Sequence, residues 1–109
     1  MKAFEKYLNS SNGLQRIGEI YLKIRQYFQK EGWSEKDLES PPYYSSELMS
    51  LYQEFGVERR NLYNQTNDFF GVSEDDFKNF MTPILKKINE ITPLNDGDYK
   101  RGNQGDENY

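Results

Sequence analysis

The chain has 109 residues, room for one domain with one modest core, and a formal net charge of −4. It contains no cysteine and no histidine. That excludes disulfides, thiolate catalysis and cysteine zinc sites, and it removes the commonest metal ligand and the commonest general base at neutral pH. No run approaches the roughly 18 apolar residues of a membrane span. The amino-terminal MKAFEKYLNSS carries a basic residue but no continuous apolar stretch like that of a secretory signal. A cytoplasmic protein without membrane association is expected.

Residues 2–8, KAFEKYL, read as a short first helix with Phe4, Tyr7 and Leu8 turned inward. The cluster Asn9-Ser10-Ser11-Asn12-Gly13 then reads as a turn and a helix start. Residues 14–31 carry the clearest pattern in the chain. Leu14, Ile17, Tyr21, Ile24 and Phe28 recur at steps of three and four, flanked by Ile20 and Tyr27, which predicts a core-facing helical stripe. Gln15, Arg16, Glu19, Lys23, Arg25, Gln26 and Lys30 are expected on the opposite, polar face. Gly32 suits the left-handed conformation that ends a helix.

Ser34, with Asp37 three residues on, predicts a capped short helix over about 35–39, a weaker form of the capping box. Pro41-Pro42 bars helix for the residue ahead of each ring, so residues 40–45 form a connector. From Ser46 the helical pattern resumes at Leu48, Leu51, Tyr52 and Phe55. Gly56 interrupts it before Val57, Leu62 and Phe69, and the spacing admits one bent helix or two. Gly71 closes this segment, and Ser73 followed by Glu74-Asp75-Asp76 predicts the start of the last helix. That helix turns Phe77, Phe80, Met81, Ile84, Leu85, Ile88 and Ile91 inward, and Pro83 predicts a kink or a restart capped by Thr82. Thr92-Pro93 stops it.

The predicted fold is therefore all-α, a compact bundle of four or five helices. One domain is expected over residues 1–92, with the 14–31 helix packed against 48–55, 62–69 and 77–91. Residues 93–109 hold Asp96, Asp98, Asp106 and Glu107 against Lys100 and Arg101 and have almost nothing to bury, which predicts a disordered acidic tail.

Residues 47–64, ELMSLYQEFGVERRNLYN, resemble the helix-turn-helix family of DNA-binding motifs. Leu51 stands before the turn, Phe55-Gly56-Val57 at it and Leu62 five residues beyond. Two positions depart from the pattern: Tyr52, where a small residue is usual, and Gln65, where an apolar one is. The resemblance implies a second helix lying in the major groove, with Arg59, Arg60, Asn61 and Asn64 as contact residues. Against this stand the net charge, which repels phosphates, and the nearby Glu47, Glu54 and Glu58.

Pro41-Pro42-Tyr43-Tyr44 resembles the PPxY peptide that WW domains recognise. Asn9-Ser10-Ser11 and Asn64-Gln65-Thr66 fit the glycosylation acceptor pattern, which is expected to be a chance match without a secretion signal. Asp96-Gly97-Asp98 fails as a calcium loop, because Lys100 occupies the fifth position where an oxygen ligand belongs. Glu74-Asp75-Asp76 is explained by the helix start, and no metal site or cofactor is expected.

The chain has nine Tyr, seven Phe and one Trp, many for the core of one small body. Trp33, Tyr43, Tyr44 and Tyr63 fall at predicted junctions or polar faces. Tyr and Trp are enriched at binding hot spots, so these four are the candidate partner-binding residues. The expected function is a non-catalytic protein-binding protein: a small inhibitor, immunity or accessory factor, or a minor component of a larger assembly. Abundant Asn, Lys and Tyr would suit a phage- or plasmid-encoded origin. The alternative is a helix-turn-helix transcriptional regulator, and a homo-oligomer is a third expectation.

Overall fold

The computed structural model of the chain describes residues 2–95. Over that span the protein is all-α, with four helices: α1 (Ala3–Asn9), α2 (Asn12–Glu31), α3 (Ser46–Phe70) and α4 (Glu74–Ile91). A short 3-10 turn, Glu35–Leu38, lies between α2 and α3.

Helix α2 is the centre of the bundle. The Ser11 hydroxyl accepts hydrogen bonds from the backbone N–H groups of Gly13 (2.9 Å) and Leu14 (3.3 Å), which caps the helix start. Gly13 allows this first turn to sit close against α3, since a Cβ there would lie 3.1 Å from Leu62 Cδ1. The helix ends at Gly32, whose φ of 75° is left-handed. Gly32 N–H then donates to Gln29 O and Trp33 N–H to Phe28 O, satisfying carbonyls that the last turn leaves open. This ending folds Trp33 back onto the final turn, with its ring centroid 5.1 Å from that of Phe28.

Helix α3 starts at Ser45, whose hydroxyl accepts from Leu48 N–H (3.1 Å), and runs unbroken through Gly56. Of the two readings that the spacing admits, one helix or two, the structure has the single helix. A helical glycine costs only about 1 kcal/mol, and the stripe from Leu48 to Leu62 holds both halves against α2. Gly71 (φ 65°) ends the helix and donates to Asn67 O at 2.7 Å. Ser73 caps α4 through Asp76 N–H, as its sequence implies. Of the kink or restart expected at Pro83, the restart is absent: the Thr82 hydroxyl donates back to Lys78 O within one continuous helix.

α2 runs antiparallel to α3, bringing Arg16 to Glu58 and Tyr27 to Ser45. It runs parallel to α4, bringing Tyr21 to Asn89 and Arg25 to Thr92. Two buried clusters result. Phe4, Leu8, Ile17, Leu62, Phe77 and Met81 fill the end that α1 closes. Ile20, Ile24, Tyr27, Phe28, Trp33 and Leu48 fill the end near the connector, and Phe55 packs against both.

Three residue-level expectations are corrected. Ile91 is not inward but 70% exposed: α2 covers the side of the last turn of α4 that carries Asn89 and Thr92, and Ile91 lies off it. Arg25 is not on the polar face but completely buried, because α4 covers the side of α2 that also carries Gly18 and Tyr21. Residues 93–95, assigned to the tail, are docked: Leu94 packs against the second cluster, and Asn95 Nδ2 donates to Gly32 O at 2.6 Å. The remaining tail expectation falls on residues 96–109, outside the described residues.

Candidate partner-binding surface

The connector at residues 40–45 is held from several sides. Pro41 is buried. Tyr27 and Ser45 share a hydrogen bond of 2.8 Å, and the Tyr43 hydroxyl donates to Glu31 Oε1 at 2.5 Å. That bond to a carboxylate holds the Tyr43 phenol well above the usual tyrosine range. The Tyr43 ring meets Trp33 edge-on at 4.9 Å, and the Tyr44 ring meets Tyr52 edge-on at 5.7 Å. Each of the two tyrosines nevertheless leaves 48% of its surface in solvent. Their positions are thus fixed while their faces remain available, which lowers the entropy lost on contact.

Beside Tyr44 lies an apolar crevice of about 270 Å³ lined by Tyr21, Ile24, Leu38, Tyr52 and Phe55. Its polar tips are satisfied: the Tyr52 hydroxyl donates to Leu38 O (2.9 Å) and the Tyr21 hydroxyl to Asn89 Oδ1 (2.6 Å). Burial, reinforced by neighbouring Tyr44 and Tyr21, pushes the Tyr52 phenol up to about 12. Met49, 47% exposed, and Gly56 lie on the same flank of α3 as Tyr52 by helical spacing.

The four aromatic candidates do not form one surface. Trp33 is 9% exposed and belongs to the second cluster, drawn in by the helix ending at Gly32. Tyr63 is half-buried and lies over Phe77 at 5.4 Å, near the other end of α3. Tyr43 and Tyr44 alone of the four remain exposed. Phe69 and Val57, read from the sequence as continuing the apolar face of α3, are instead 69% and 48% exposed, and Phe70, which the sequence reading passed over, is 41% exposed; the two Phe rings lie 5.8 and 5.5 Å from that of Tyr7. The signal was available: two adjacent rings lie about 100° apart on a helix and cannot both point at one core.

The helix-turn-helix premise is corrected, since Phe55-Gly56-Val57 is continuous helix and no turn separates two helices there. Tyr52 packs on α2 and the 3-10 turn, where the motif needs a small residue. Arg59 is half-buried with its guanidinium 5.4 Å from the Phe77 ring centroid, while Arg60, Asn61 and Asn64 are exposed on α3. Asn61 lines a groove of about 460 Å³ between the α1–α2 turn and α3, lined also by Arg16 and Glu58, which pair at 3.1 Å. The acceptor pattern at Asn64 lies inside α3, with Thr66 fully buried and its hydroxyl donating to Leu62 O. Among the described residues, no group of three or more acidic side chains is placed to hold a metal ion, and no helix is long and apolar enough to cross a membrane.

The molecule defined so far is a small helical bundle with fixed, half-exposed rings at an apolar crevice. The chain matches no protein-family model, no curated protein and no solved structure.

Proposed function

We propose that this chain is a non-catalytic protein-binding protein, of the inhibitor, immunity or accessory kind, acting in the cytoplasm. The observation that carries this reading is the pairing of Tyr43 and Tyr44, each 48% exposed, with the adjacent apolar crevice. Anchored aromatic rings beside a small apolar recess have the composition and rigidity of a binding hot spot. The chain's lack of histidine and cysteine removes the side chains that most often serve as bases, nucleophiles and transition-metal ligands at neutral pH.

Site-specific photo-crosslinking in the native host tests this. A crosslinking residue in place of Met49 is expected to give a discrete adduct, whereas one in place of Lys86 on α4 gives none. Tyr43→Ser with Tyr44→Ser is expected to abolish the Met49 adduct while leaving the helical content unchanged. No adduct from Met49, or equal adducts from both positions, would overturn the reading.

A further inference from the structure

We propose that the end of the bundle opposite the connector, carrying Tyr7, Phe69 and Phe70, is an interface at which two copies of this chain pair about a two-fold axis. Phe69 and Phe70 leave 69% and 41% of their surfaces in solvent at the last turn of α3. For side chains of this size that is about 200 Å² of open ring surface. Tyr7 is seated between them and held by its hydroxyl, which donates to Gln65 Oε1 at 3.2 Å.

The charges around the rings identify the occupant. On the α1 side stand Lys2 and Lys6, both exposed. At the α3–α4 turn stand Asp68, Glu74, Asp75 and Asp76, all exposed. None of these six is in a salt bridge among the described residues. A partner of a single charge sign would gain at one flank and be repelled at the other. A second copy related by a two-fold axis sets each basic flank against the other's acidic flank, with the rings between. The ring area is well below the roughly 800 Å² per partner of a standard interface, so the pair is weak, reversible and sensitive to salt.

Sedimentation over a wide concentration range, at low and high salt, reads this directly. The wild-type chain is expected to associate as it is concentrated and to dissociate as salt rises. Lys2→Glu with Lys6→Glu, and separately Glu74→Lys with Asp75→Lys, are each expected to weaken self-association by about tenfold or more. Mixing the two variants restores part of the association as a heterodimer, because the basic α1 flank of the second meets the intact acidic flank of the first, while the second's own α3–α4 flank, where two lysines now offset Asp68 and Asp76, no longer repels. Phe69→Ser is expected to abolish association in every case, and since Phe69 is exposed the fold survives it. A wild-type chain that stays monomeric throughout, or association indifferent to the charge exchange, overturns the proposal. Either result leaves the Met49 crosslinking outcome untouched, because that surface lies at the other end of α3.

Discussion

Arg25 enters the core fully charged. Its Nε donates to Thr92 Oγ1 (2.9 Å) and Thr92 O (3.2 Å), and its two Nη groups meet both oxygens of Glu35 at 3.0 and 2.6 Å. Burial works against the cation, but the contacts with Glu35 and Tyr21 outweigh it and raise the Arg25 pKa. Glu35 is lowered below its ordinary value of 4.5, first by the hydrogen bonds from Arg25. The two partners are not equivalent, because the Arg25 side chain is 0% exposed and that of Glu35 is 49% exposed. Glu35→Ala strands a buried cation and is expected to cost roughly 3 kcal/mol, whereas Arg25→Met leaves a hydrated carboxylate but takes the donor from the buried Thr92 carbonyl, and costs about 1–2 kcal/mol. Urea unfolding of the two variants measures the difference, and equal losses would show that the guanidinium is not stranded. The pH dependence follows from the lowered pKa. Stability from the pair is complete above the unfolded carboxylate range near 4.5 and is lost as pH falls through the lower folded value. Acid unfolding of Glu35→Gln is expected to lack that component.

At the scale of the elements, α3 and its two glycines separate conformational cost from packing. Gly56 is helical and has nothing within 4 Å of the place a Cβ would occupy. Gly56→Ala is therefore expected to stabilise the protein by about 0.5–1 kcal/mol. Gly71 has equally open surroundings but a φ of 65°, so Gly71→Ala is expected to destabilise by roughly 1–2 kcal/mol. Thermal unfolding of the pair reads both signs, and a destabilised Gly56→Ala would mean that the helix needs its glycine for something other than space. Much of this scale was legible in the sequence. Ser73 and the left-handed Gly32 and Gly71 sit where local backbone chemistry requires them, and the 14–31 periodicity marks the face that packs. Gly56 and Pro83 left two readings open each, because an isolated glycine or proline signals a local cost, and long-range packing on α2, which exceeds that cost, decided for the continuous helix.

At the scale of the whole molecule, residues 93–95 act as a strap between the end of α4 and the end of α2. Gln29 Nε2 donates to Pro93 O (3.1 Å), Asn95 bonds Gly32 O, and Leu94 rests on the cluster around Trp33. A chain ending at Thr92 is expected to be less stable than one ending at Asn95 by about 1–2 kcal/mol, from half a leucine's burial and the lost hydrogen bonds. Denaturant midpoints of the two decide it, and equal midpoints would place the domain boundary at residue 92. Docking of the strap could not be read from Pro93-Leu94-Asn95, since a single leucine among turn-forming residues carries no periodicity.

Helix identity, caps and the inward stripe of α2 followed from the chain alone, because spacing and local hydrogen bonding act between residues a few positions apart. Which aromatic rings stay in water, that Arg25 is interior, and that Gly56 stays helical were decided only when α2, α3 and α4 came together. Each of those outcomes depends on what a distant segment covers, and neighbouring residues carry no record of it.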